Sequence, residues 1–149
     1  MSIEQHETFL KSVNVPLRLS VADDNQPLIV PLWFIYNEGV LWCACHRNSY
    51  IVRRPSKLIS EQEDTWPCAF DISTNEIPYK GVAGTGLLAL DSEEGADSLQ
   101  KLVGRYLGTE ETDFSRWLLS RAADEVALCI KPVTVRAWDF SERMQGVER

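Results

Sequence analysis

Residues 28–36 read Leu28-Ile29-Val30-Pro31-Leu32-Trp33-Phe34-Ile35-Tyr36, a run without a single charge. A strand with one wet face alternates apolar and polar residues. This stretch does not alternate. Extended, it puts Leu28, Val30, Leu32 and Phe34 on one face and Ile29, Trp33 and Ile35, with Pro31, on the other. One face can fill a barrel. The other needs a helix, a second subunit or a flat hydrophobic ligand. Pro31 cannot donate to a ladder, so it marks an edge or a bulge. That break either frees backbone groups for the polar edge of a heterocycle or blunts an edge against aggregation.

Working outward, Leu17, Leu19 and Val21 alternate with Arg18 and Ser20 as a strand. Asp23-Asp24-Asn25-Gln26 turns the chain into the central stretch. Asn37-Glu38-Gly39 turns it out into a third strand, Val40 to Cys45. Upstream, residues 2–13 fit a short helix capped by Ser2, with Ile3, Phe9, Leu10 and Val13 on its apolar side and Pro16 as its stop. Downstream, Tyr50 to Arg54 fit a helical turn ended by Pro55, and Lys57 to Gln62 a second turn. Strands follow over Pro67 to Ile72 and Tyr79 to Leu90, the latter containing Gly81, Gly84 and Gly86. Two helices come next. The first covers about 93–107, with Ala96, Leu99, Leu102, Val103 and Tyr106 at helical spacing; the second covers about 113–123. A last strand runs from Val126 to Trp138, interrupted near Pro132. Antiparallel strands with helices inserted late predict a mainly β, α+β fold: a closed or nearly closed barrel with helical decoration.

The 149 residues fit one domain, 1–149. A net charge of −7 lacks the basic footprint of a nucleic-acid binder. No run is long enough for a membrane span, and no secretory signal is visible, so the expected compartment is the cytoplasm. Cys43, Cys45, Cys68 and Cys129 do not have the spacing of a secreted disulfide framework and read as free thiols. Cys43-Ala44-Cys45-His46 has zinc-ligand chemistry, but a strand puts the two cysteines on one face and His46 on the other, and no second matched pair follows. No metal is therefore expected. His6 and His46 are the only histidines, and the motifs of hydrolases and phosphate loops are absent.

Several stretches occur in an order and spacing that resemble the pyridoxamine 5′-phosphate oxidase-like family of FMN-binding split barrels. They are Pro31-Leu32-Trp33-Phe34, the hairpin from Asn37 to Cys45, Pro78-Tyr79-Lys80-Gly81-Val82 leading to Gly84, Arg105-Tyr106-Leu107-Gly108, and Trp138-Asp139-Phe140. Together they cover about residues 15–140. The resemblance implies an antiparallel split barrel that forms a homodimer with two FMN sites at the subunit interface.

The resemblance also implies where the cofactor lies. The flavin sits against the second and third strands, which brings in Pro31, Leu32, Trp33 and, at the end of the third strand, Cys45. The segment after that strand grips the phosphate; here it includes Arg47, Asn48 and Ser49, a guanidinium, an amide and a hydroxyl before a possible helix start. Lys80 and Gly81 match the fifth-strand position that approaches the ring, and Trp33 and Trp138 can flank a flat ligand. The family's basic residues on the second strand and after the phosphate-gripping serine are absent; Leu28, Trp33, Tyr50 and Ile51 stand there. The implied activity is that of a flavin-dependent oxidoreductase whose substrate cannot be read and whose acid or base cannot be named. The alternative is a non-catalytic barrel that binds a flavin, a deazaflavin or haem.

Overall fold

The structure is a computed structural model and describes residues 1–23, 26–59 and 64–147. Its strands are β1 (Leu17–Asp23), β2 (Gln26–Leu32), β3 (Ile35–Asn37), β4 (Val40–His46), β5 (Trp66–Ser73), β6 (Lys80–Asp91) and β7 (Glu125–Asp139). The helices are α1 (Ile3–Ser12), α2 (Tyr50–Leu58), α3 (Gly95–Leu107) and α4 (Asp113–Ser120), and a short 3₁₀ turn, Ala122–Asp124, leads into β7. All pairings are antiparallel, in the order β2-β1-β5-β6-β7-β4-β3.

That order explains the shape. β2 and β3 are the two edges of the sheet, yet only Trp33 and Phe34 separate them. Three residue steps reach at most about 11 Å. The sheet must therefore curl until its edges meet at this corner. No ladder joins β2 to β3 among the described residues, so the barrel is split rather than closed. Inside it, Leu17, Leu19, Val21, Phe34, Leu41, Ile72, Val82, Leu88, Leu128 and Ile130 are fully buried.

The predicted second strand is thus two strands broken at Trp33-Phe34. Its face assignment holds on the inner side: Leu32 and Phe34 are buried, and Leu28 and Val30 pack on the core. On the outer side Ile29 remains 67 % exposed, and Pro31 is exposed on an edge strand, where proline costs no ladder bond. The helices cover β4 and β7 instead.

Other boundaries moved for local reasons. Pro55 lies inside α2 rather than ending it, and the helix continues through Ile59 N–H bonding to the Pro55 carbonyl. The rest of the second turn expected near Lys57 to Gln62, residues 60–62, lies outside the described residues, as do Asp24 and Asn25 of the first predicted turn. Ser2 caps α1 as expected, in a reciprocal box with Gln5, but Ile3 is 80 % exposed rather than on the packed side. In α3 the exposed Ala96 gives way to Gly95 and Ser98 as buried positions. Gly95 presses against the Glu125 carbonyl, where any Cβ would stand 1.9 Å away. The interruption near Pro132 is a register shift opposite Thr85/Gly86 that leaves Val133 unpaired in an otherwise continuous β7.

The corner between the edges is held by α3. The Tyr106 hydroxyl donates to the Val15 carbonyl at 3.0 Å and accepts from the Phe34 N–H at 3.3 Å. The Tyr106 ring stacks on Trp33 with centroids 5.0 Å apart and planes 5° from parallel. Arg105 donates to the Leu10 and Val13 carbonyls at 3.0 and 2.7 Å, where α1 ends, and lies 4.7 Å above the Phe34 ring. Tyr106→Phe removes the hydroxyl and keeps the ring stack. It should lower the free energy of unfolding by about 1–3 kcal/mol, since the Phe34 N–H then loses a partner at a half-buried site. Urea titration of both proteins reads this directly.

Candidate cofactor site

A groove of about 390 Å³ opens where β2 ends, β4 ends and the helices cross the sheet. One wall is Pro31, Leu32 and Trp33; another is Leu99 and Leu102 of α3; Phe114 and Leu118 of α4 form a third. Ala44, Cys45, His46 and Ser49 lie along the end of β4, and Arg121 and Glu125 complete the lining. Its size is at the small end of the range usual for small-molecule sites, and its make-up of apolar walls with a few polar groups fits one.

The end of β4 is tightly organised. His46 pairs with Glu125, and Cys45 with Val126. The Arg47 N–H donates to the Asp124 carbonyl at 2.8 Å, and the Arg47 Nε lies 3.3 Å from the Asp124 carboxylate. The Asn48 N–H donates to His46 Nδ1 at 3.1 Å, and the Ser49 hydroxyl donates to the His46 carbonyl at 2.7 Å. Ser49 occupies the N-cap of α2 but makes no side-chain cap bond. Of the first N–H groups of α2, Val52 donates to the Ser49 carbonyl at 3.1 Å, and the Ser49 side chain caps none, which leaves the start of the helix suited to an anion.

Glu125 stands out. It is 6 % exposed, and its Oε2 has no hydrogen-bond partner. Burial raises its pKa, with Arg121 pulling it down and Asp124 pushing it up. Arg121 itself rests 4.6 Å above the Trp117 ring.

The residues singled out from the sequence fall into two groups. Pro31, Leu32, Trp33, Cys45 and Ser49 line the groove, with Arg47 and Asn48 on the adjoining turn. Lys80, Gly81 and Trp138 lie elsewhere. Lys80 is 3.7 Å from Asp139 and borders a cleft against α1. Trp138 lies flat over Gly81, where a Cβ would meet its ring at 2.3 Å, and faces a shallow hollow with Tyr79 and Phe140. A larger groove, about 520 Å³, crosses the outer sheet face between Arg18, Asp71, Thr85 and Arg136, and holds none of these residues.

Sequence reading did not single out Arg121, Glu125, Phe114 or Leu118. The spacing of Phe114, Trp117, Leu118 and Arg121 marks one helix stripe, but nothing in it says which strand ends it overhangs. The one available signal for Glu125 was an acidic residue opening an apolar strand.

The cysteines are free. Cys43 and Cys45 both pack into the interior while His46 turns to the other face, the arrangement expected from strand geometry. Burial is the first cause of every thiol shift: Cys45, Cys68 and Cys129 rise from 9.0 to about 11, and Cys43 goes well above its ordinary value.

Fold comparison agrees with this geometry. No family model matches the chain, and neither does any curated protein sequence. Solved structures do. The conserved hypothetical protein Rv2991 from Mycobacterium tuberculosis superposes with a TM-score of 0.74 at 18% identity, over 100% of this chain and 90% of its own. An F420 reductase gives 0.68 at 18% identity, over 87% of this chain and 94% of that one. A protein of Listeria innocua, provisionally named a pyridoxamine 5′-phosphate oxidase, gives 0.64 at 11% identity, over 90% and 95%. The chain has the split-barrel fold of the pyridoxamine 5′-phosphate oxidase-like proteins. Among the described residues of this split barrel, no helix is long and apolar enough to cross a membrane.

A thiol whose pKa moves from 9.0 to about 11 has about a hundredfold less thiolate near neutral pH. Iodoacetamide should therefore label the native protein at pH 7.5 about a hundredfold more slowly than the urea-unfolded chain. The native rate should climb about tenfold per pH unit towards 11. Mass spectrometry of timed samples checks both.

Proposed function

We propose that this split barrel binds FMN at the interface of a homodimer and acts as an oxidoreductase in a reducing, cytoplasmic compartment. The observation that carries the reading is the groove itself, with Trp33 and the β2 edge on one side and the open start of α2 near the other. Its apolar walls suit a flat ring. Arg47, Arg121 and the N–H groups opening α2 suit a phosphate. When bound, the flavin supplies the redox chemistry; the protein supplies placement, charge and exclusion of water. The F420 reductase of the same fold is in keeping with redox work on such a scaffold.

The split of the predicted residues supports the dimer. Lys80 and Trp138 are remote from the groove in their own chain, so they reach a shared cofactor only from a second copy. Ile29, Val133 and Val135 leave apolar surface on the outer face for such a contact. A stable interface should bury more than about 1,000 Å². Light scattering at micromolar concentration should give twice the chain mass; a monomer overturns this arrangement.

The phosphate site has its own test. Arg47→Ala should weaken FMN by about tenfold or more, since charge-assisted bonds are worth roughly 1.5–3 kcal/mol. Riboflavin, which lacks the phosphate, should bind the variant and the parent alike. Equal losses for both ligands would mean damage to the fold or the ring site; no loss for either would place the phosphate elsewhere. Anaerobic bleaching of the bound flavin by NADH or NADPH tests the oxidoreductase reading; an inert spectrum favours a binding role.

A further inference from the structure

Resting on the flavin reading above, we propose that Glu125 is the recognition residue for the cofactor's polyol chain, its unpartnered Oε2 accepting a hydrogen bond from a ribityl hydroxyl. Glu125 lines the groove, is 6 % exposed, and has one carboxylate oxygen without a partner. A buried acceptor left unmade costs about 1–3 kcal/mol, more when charged, so a ligand that brings a donor to it gains that amount. Arg121 does not form an ion pair with it, although both line the groove.

Position selects which donor. Glu125 is the ladder partner of His46, immediately before the Arg47-Asn48-Ser49 turn proposed for the phosphate. Cys45, which precedes His46, lines the groove together with Ser49 and Glu125. A carboxylate this close to the phosphate turn repels a phosphate and cannot be satisfied by it. In FMN the group next to the phosphate is the ribityl chain, which carries hydroxyl donors. The oxidised ring's only N–H is separated from the phosphate by the whole ribityl chain and part of the ring system. The polyol is therefore the part of the cofactor that suits this acceptor.

Three flavins separate the parts: lumiflavin has the ring alone, riboflavin adds the ribityl chain, and FMN adds the phosphate. Fluorescence-quenching titrations against the full-length protein and Glu125→Ala give their affinities. The expected result is a loss of about tenfold or more for riboflavin and FMN, with lumiflavin unchanged. Unchanged lumiflavin binding also shows that the groove survives the substitution. Glu125→Gln, which keeps the shape and a neutral acceptor, should lose riboflavin affinity by a few-fold and again spare lumiflavin; it serves where the alanine variant does not fold. Equal losses for all three ligands, or no loss for riboflavin in either variant, would overturn the assignment of the polyol to Glu125. A parent protein that binds none of the three overturns the flavin reading itself, and this inference with it.

Discussion

The edges of the sheet meet because two residues must carry the chain from one to the other. Trp33 and Phe34 cannot belong to both ladders, so the backbone there has to find hydrogen bonds away from the sheet. Tyr106 provides them, accepting from the Phe34 N–H and donating to the Val15 carbonyl just before β1. Arg105, one residue earlier, fastens the end of α1 through the Leu10 and Val13 carbonyls. A cation at the carbonyl end of a helix is also favoured by its dipole. One turn of α3 thus ties together the first helix, the first strand and the seam of the barrel.

The same helix sets the groove. Stacking on Tyr106 holds the Trp33 ring in one place, an interaction worth about 0.5–1.5 kcal/mol beyond its buried area. Leu102 and Leu99 follow along the helix as groove wall, and Gly95 at its start touches the Glu125 carbonyl with no room for a side chain. The rigid distance along α3 therefore relates the seam at one end to the acidic floor at the other. A cofactor placed between them is bounded by groups that cannot move independently.

Much of this was legible in the sequence because periodicity reports burial. The alternation of Leu17, Leu19 and Val21, the turn at Asn37 to Gly39, and the interruption near Pro132 each correspond to an observed element. The unbroken apolar run at 28–36 correctly signalled unusual packing, but periodicity cannot show that a strand stops and a new one begins on the opposite edge. That break is a property of the whole sheet. Ile3 and Ala96 misled for the opposite reason: a residue near a helix end can satisfy the pattern without meeting a neighbour. In the site, residues on β2 and β4 were legible through the order of the motifs that carry the resemblance, since the two strands share no ladder. Arg121 and Glu125 were not, since their place depends on how α4 and the turn after it fold back over β4.

Charge makes the groove selective rather than simply attractive. The chain carries −7 overall, so a phosphate meets no long-range pull and must be held by local donors. Those donors are already partly engaged: the Arg47 side chain pairs with Asp124, and Arg121 lies over Trp117. A dianion arriving at the start of α2 would compete with Asp124 for Arg47, and with the Ser49 carbonyl for the Val52 N–H. Glu125, held just inside, opposes any negative group that slips deeper. On the proposed flavin reading, Arg47 beside the groove and Glu125 in its lining would set a boundary between the place of an anion and the place of neutral donors. A molecule with a phosphate at one end, hydroxyls next to it and a flat ring beyond satisfies that boundary in one orientation and violates it in the reverse. Orientation of a ring against Trp33 would then follow from electrostatics at the other end of such a ligand.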